Sequence, residues 1–385
     1  MVLTDLWSAL PRSTERENKN VIKAIAKSKG LLPDDISYCI ADIKFDGENI
    51  KVLEFGDSGQ SLFNGHDALY GRGSVWNKFW SYLSEFKLPV WYVGHAGKST
   101  GSDALARIGG QYVQSVVRLN GKIEEAARAQ GLQNLKNYKG IVFARRGEHQ
   151  RTAIDAMKRK FPQLIFVNES VHDKVINKRE TELLFRDDQT LIPYRPACKV
   201  CNKRYTPSLA ASIIDAVKSD VLVIKPIDGS RGRGVVFVTK DELDITLRTI
   251  LYDKVALKKM CNQQPYCYGF WLFGEAKSFM VEEYIPSKPV TVNGQMYDAT
   301  MRLVFATHRI NGKVGVNILG AYWKLPAKAL DQDGTFVDKH RSDIHGTTSV
   351  GSAKVNAQDL KTVSALFCPM MEKVYNKILT HYYGE

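Results

Sequence analysis

Val221-Leu-Val-Ile-Lys-Pro-Ile-Asp-Gly-Ser-Arg-Gly-Arg-Gly-Val-Val-Phe-Val238 consists of two apolar runs of strand character joined by a glycine-rich turn. Gly229, Gly232 and Gly234 open backbone angles closed to other residues, so the N–H groups of such a turn can converge on an anion. Lys225, at the end of the first run, adds a full positive charge at the mouth of the loop. Ser230 adds a hydroxyl donor, and Arg231 stands beside it. The pattern predicts a lid over phosphates; a hairpin whose glycines serve only the turn is the plain alternative. It is not a Walker A loop, because GxxxxGK[ST] is absent, and not a dinucleotide fingerprint, because no helix opens after the glycines.

The chain of 385 residues is 44% hydrophobic and 25% charged, which gives it enough apolar material for two or three domains. No window approaches the roughly 18 uninterrupted apolar residues of a membrane span, and MVLTDLWSALPRSTERENKN lacks a signal peptide's apolar centre. A cytoplasmic protein is expected. Six cysteines are too few for a disulfide framework, and the pair Cys198 and Cys201 has no second pair or histidine at zinc spacing. The net charge of +13 favours anionic partners, yet the basic residues are spread along the chain without the block of a nucleic-acid module. The expected partner is a small-molecule or peptide substrate, acidic in character, with no specific nucleic acid.

Outward from the loop, the patterning is mixed α/β (α+β). The first 35 residues read as helix, and Ser37 to Phe55 as strand, turn and strand around Asp46-Gly47. Trp76, Phe79, Trp80 and Tyr82 have helical spacing and read as core. PVWYVG, GIVFAR, RTAIDAMKRKF and LIFVN predict a small parallel sheet with crossover helices between about 87 and 170. After Val171 the strands look antiparallel, with a hairpin signal at Asn311-Gly312. Asn356 and Asp359 mark the start of an amphipathic C-terminal helix. The divisions expected are 1–86, 87–170, 171–290 and 291–385.

The flanks of the loop add specificity. Upstream stands Lys178, within VHDKVINKRETELLF; downstream stand FMVEEYIP, DATMRLVF and GAYWK, with Glu282, Arg302 and Lys324. In this order, over residues 164–379, the chain resembles the ATP-grasp superfamily. The resemblance implies an ATP-grasp fold preceded by a Rossmann-like domain. Lys178 and Lys225 match the nucleotide lysines, Gly229 to Gly234 the lid, and Glu282, Glu283, Tyr284 and Ile285 the adenine hinge. Pro286-Ser-Lys288-Pro stands where the family has an acidic ribose contact.

Such an enzyme must present carboxylates to Mg²⁺ (or Mn²⁺), usually near its C-terminus. After Lys324 the chain offers only Asp331, Asp333, Asp338 and Asp343 in polar loop. At the other end, IADIKFDGENIKVLEFGD carries Asp42 and, 12 residues on, Glu54. This resembles the circularly permuted ATP-grasp proteins, such as glutathionylspermidine synthetases, in which the metal-binding hairpin is N-terminal. Gly56 replaces the family's Asn, leaving Asp57 or water as a third ligand. A three-residue turn, Gly47 to Asn49, would place Glu54 opposite Asp42; a two- or four-residue turn would set Leu53 there instead, unless a bulge compensates.

The resemblance implies an ATP-dependent carboxylate–amine or carboxylate–thiol ligase acting through an acyl phosphate. A kinase on the same fold and a non-catalytic nucleotide- or anion-binding protein are the alternatives. Arg302, Lys324 and Arg341 are the candidates for contacting the transferring phosphoryl group. His66, in a glycine-rich loop, and Arg145 and Arg146, after a strand, are candidates for the substrate.

Overall fold

Strand β1 (Asp35–Phe45) is buried along its entire length, so both faces of DISYCIADIKF meet protein. Cys39, Ala41, Ile43 and Phe45 pack toward the C-terminal helix Ala357–Gly384, with Phe367, Met371 and Val374 among their neighbours in that core. Ile36, Tyr38 and Ile40 point the other way, into a core with Trp76, Phe79 and Trp80. Two and four positions further along that second face stand Asp42 and Lys44, also buried. The change from apolar to charged marks where cover by the neighbouring layer gives way to a polar site. The computed structural model describes residues 32–57, 64–94, 101–144, 148–175, 177–229, 232–342 and 351–384. Most of the expected N-terminal helix, together with Arg145, Arg146, Ser230, Arg231 and Asp343, lies outside the described residues.

Strand β2 (Ile50–Asp57) folds back on β1 through a turn of four residues, not three. Asp46 Oδ1 accepts from the N–H groups of Glu48 and Asn49 at 2.8 and 2.7 Å, so its side chain closes the turn and leaves Phe45 and Ile50 as the last ladder pair. That turn alone would send Glu54 to the wrong face. Two pairs further along, the register slips: Ile43 pairs with Val52 and Asp42 with Glu54, leaving Leu53 as the extra residue of a bulge.

Strands β3 (Val90–Val93), β4 (Gln111–Val113), β5 (Gly140–Ala144) and β6 (Leu164–Phe166) form a parallel sheet in the order β4-β3-β5-β6. Trp76, Phe79, Trp80 and Tyr82 fill the core on one side, as their spacing predicts. The helices Val116–Ala129 and Glu148–Lys160 cover the other side.

Strands β7 (Cys198–Asn202), β8 (Val221–Pro226), β9 (Val236–Thr239) and β10 (Ser278–Glu283) make a second sheet, in the order β7-β10-β8-β9, and the glycine loop joins β8 to β9. After the small pair β11 (Val290–Val292) and β12 (Gln295–Tyr297) come β13 (Thr300–Ile310), β14 (Lys313–Lys324) and β15 (Ser352–Lys354). Asn311 and Gly312 both take positive φ, 50° and 80°, as a two-residue hairpin requires.

The remaining sheet has the order β15-β14-β13-β1-β2, so the N-terminal hairpin completes strands from the far end of the chain. Asp35 fixes that closure: it accepts from Ser170 Oγ and Tyr383 Oη, each at 2.9 Å, and from Tyr375. Burial raises its pKa in spite of these bonds. At the start of the C-terminal helix, Asn356 Oδ1 accepts from Asp359 N at 2.8 Å and Asn356 Nδ2 donates back to Asp359 Oδ2. Among the described residues, no helix is long and apolar enough to cross a membrane.

Candidate active site

Register aligns the first group of charges. Glu54 opposes Asp42, Asp42 opposes Arg302, and Arg302 opposes Tyr322. Opposed residues share a face, and Lys324 lies two positions beyond Tyr322 on that face. Arg302 grips Asp42 with two bonds, Nε to Oδ1 and Nη2 to Oδ2, both 2.7 Å, and Lys324 Nζ donates to Oδ2 at 2.5 Å. Burial pushes the Asp42 carboxyl up, but Arg302 and Lys324 more than offset this and hold it well below the ordinary range. Burial and the nearby Arg302 push the Lys324 ammonium down.

The second group stands on the sheet that carries the glycine loop. Lys225 opposes Met280, and Val223 opposes Glu282 and Phe237. These five side chains therefore share a face, while Leu222, Ile224, Phe279 and Val281 fill the core behind them. Buried Val223 and Met280 give this face an apolar strip beside a carboxylate, which suits the edge and plane of a heteroaromatic ring. Glu282 pairs with Lys225 and accepts from Arg195 Nη2 at 3.0 Å. Burial raises the Glu282 pKa, but Lys225 and Arg195 lower it by more, and the net shift is downward.

Lys178 connects the two groups. Its ammonium donates to the Gly229 carbonyl and lies 4.0 Å from Glu54 Oε2. Gly234 has φ +78°, and a Cβ there would come within 2.8 Å of Pro226 Cγ, so this turn needs glycine for packing as well as for angle. Arg341 reaches the loop instead of the Asp42 row: its guanidinium lies 4.5 Å from the Tyr266 ring centre, and its Cδ would be 3.7 Å from a Cβ on Gly232.

The side chains expected at the hinge are bound into the frame. Glu283 Oε1 accepts from Ala197 N at 2.7 Å, and Tyr284 Oη donates to Asp298 Oδ2 at 2.6 Å. Ile285 follows, half-buried. Lys288 turns to Asp359, 2.5 Å away. His66 is not in a loop: it lies buried on the helix Asn64–Tyr70, with Nδ1 2.9 Å from Ser74 Oγ and its ring against Gly320. Burial and the charge of Lys78 lower its pKa to about 4. Asp57 pairs in register with Cys39, and its side chain lies outside the described residues.

Sequence reasoning missed Arg195, Val223 and Met280. Strand alternation from Lys225 and Glu282 gives the last two; Arg195 follows a short 3-10 turn, Ile192–Tyr194, and carries no local signal.

A divalent ion requires oxygen ligands with lone pairs to spare. Glu54 is 40% exposed and fits. Asp42 fits through Oδ1, which accepts a single bond from Arg302, whereas Oδ2 already accepts two. Among the described residues, no three acidic, histidine or cysteine side chains gather, so phosphate and water would supply the remaining positions.

These carboxylates also set an acid response. The folded pKa values of Asp42 and Glu282 lie below the ordinary 3.8 and 4.5, so the unfolded chain binds more protons as pH falls. Their contribution to stability is complete above the ordinary values and is lost as pH drops through the lower folded ones. Denaturation midpoints measured from pH 6 downward should therefore begin to fall below about pH 4.5. Removing the Asp42 carboxylate should flatten that slope.

No protein-family model matches the sequence, and no curated protein is detectably similar to it in sequence. In structure the chain is similar to a presumed gamma-glutamylcysteine synthetase from Methylobacillus flagellatus, with 8% identity, 98% of this chain and 95% of that one covered, and a TM-score of 0.42. It is also similar to D-alanyl-alanine synthetase A from Vibrio cholerae (14% identity, 63% and 60% covered, TM-score 0.31). A third likeness is to the D-alanine–D-alanine ligase from Coxiella burnetii (10% identity, 67% and 78% covered, TM-score 0.25). At these values the likeness is one of chain course and assigns no activity.

Proposed function

We propose that the chain is an ATP- and Mg²⁺-dependent ligase joining a carboxylate to an amine or thiol, on a circularly permuted ATP-grasp fold. The observation that carries this reading is the bulge at Leu53, which brings Glu54 opposite Asp42, within 4.0 Å of the lysine that holds the glycine loop. On this reading residues 87–170 precede the grasp, 171–290 form the lid and hinge, and 1–86 complete the core of 291–385.

Lys178, Lys225 and the loop from Gly229 to Gly234, with Ser230 and Arg231, hold the phosphates. Glu282 and the hinge to Ile285 take the adenine edge over Val223 and Met280. Glu54 and Asp42 Oδ1 would hold Mg²⁺, which when bound neutralises phosphate charge. A substrate carboxylate oxygen attacks the γ-phosphorus as ADP leaves; the amine or thiol then attacks the acyl carbon and phosphate leaves. Arg302, which also bonds Tyr322, and Lys324 stabilise charge on the transferring group or the acyl oxygen. Arg341 steadies the loop.

The test is product analysis on the full chain with ATP, Mg²⁺ and pools of acidic amino acids and peptides with amines or thiols. ADP, free phosphate and a condensed product support the ligase. ADP with a stable phosphorylated acceptor makes it a kinase. Failure to bind an ATP analogue at millimolar concentration removes the ligase and kinase readings and supports the non-catalytic one.

A further inference from the structure

We infer that Arg195 is a positioning residue that holds the Leu53 bulge in place and couples it to the hinge carboxylate; its role in nucleotide binding rests on the function proposed above. Arg195 Nη1 donates to two successive carbonyls, Val52 O at 2.5 Å and Leu53 O at 2.7 Å, which flank the slip in register. A bulge disrupts the ladder locally, and a buried carbonyl without a partner is costly, so both acceptors need a donor from outside the strand pair. Nη2 of the same guanidinium reaches Glu282 Oε1 at 3.0 Å, and Nε lies 3.6 Å from Glu182 Oε2.

The side chain is 4% exposed, with the Phe185 ring centre 5.8 Å away. A second tie runs back to the same strand, since Lys51 Nζ donates to the Arg195 carbonyl at 3.1 Å. One planar fork thus binds the backbone that aims Glu54 and the side chain that faces Lys225. Lysine cannot substitute, because a single ammonium lacks that fork. Without Arg195 the four-residue turn favours the unbulged ladder, in which Leu53 opposes Asp42 and Glu54 leaves the site.

Deleting Leu53 provides a specific test, because it puts Glu54 opposite Asp42 with no bulge to hold. Arg195→Met and Arg195→Lys are compared with Arg195→Met lacking Leu53, and with the Leu53 deletion alone. Hydrogen exchange of residues 52–55 and affinity for a non-hydrolysable ATP analogue with Mg²⁺ are measured. The Arg195 variants should exchange at least about tenfold faster at 52–55, with β13 protected as before, and bind the analogue at least about tenfold more weakly. Deleting Leu53 in Arg195→Met should restore binding, or folding if the single variant fails to fold.

Unchanged exchange in the single variants, acceleration throughout β1 and β13, or no rescue by the deletion would each overturn the inference. If the wild type binds no nucleotide, the ligase reading fails by itself, and exchange at 52–55 still decides the role of Arg195.

Discussion

Asp42→Asn should remove about 3–5 kcal/mol of stability, because it leaves Arg302 and Lys324 buried beside a neutral amide. Their side chains are only 3% and 9% exposed, so solvent cannot replace the lost charge. Arg302 also loses a bidentate acceptor, the strongest geometry available to a guanidinium. Chemical denaturation followed by exchange of the β1 and β13 amides measures the effect. A loss below about 1 kcal/mol would mean that the pair is solvated as an exposed one is.

Glu54→Gln should have the opposite profile. With 40% of its side chain exposed, the residue contributes little to the fold, and its removal should change stability by no more than about 0.5 kcal/mol. On the function proposed above, ATP turnover should fall by about a hundredfold or more, because a charged ligand next to the phosphates would be lost. ADP release set against a thermal melt separates the two effects. Turnover equal to wild type in a folded variant would remove Glu54 from the site.

Much of the architecture was legible because it follows from periodicity. The parallel run from Val90 to Phe166, the Asn311-Gly312 hairpin and the Asn356 cap each depend on a few neighbouring residues. The hairpin of Asp42 was harder to read. Its turn depends on whether the Asp46 side chain closes the loop, and its bulge on a guanidinium well over a hundred residues away, at Arg195. His66 reads as loop because glycines surround it, yet tertiary packing against Gly320 makes it a buried helical residue. The Arg302 and Lys324 candidates stand together because β13 and β14 pair in long register; Arg341 does not join them, because it lies against Tyr266 and the glycine loop.

The placement of β1 between β13 and β2 also has a kinetic side. Asp42 and Arg302 are 260 residues apart in the chain. During synthesis the N-terminal hairpin, apolar on both faces over much of β1, emerges long before the strand that will cover its open edge. Its sheet therefore forms late and pays the loop-closure entropy of the 260 residues that separate Asp42 from Arg302, which favours slow folding and makes the waiting edge the place where misassembly would begin.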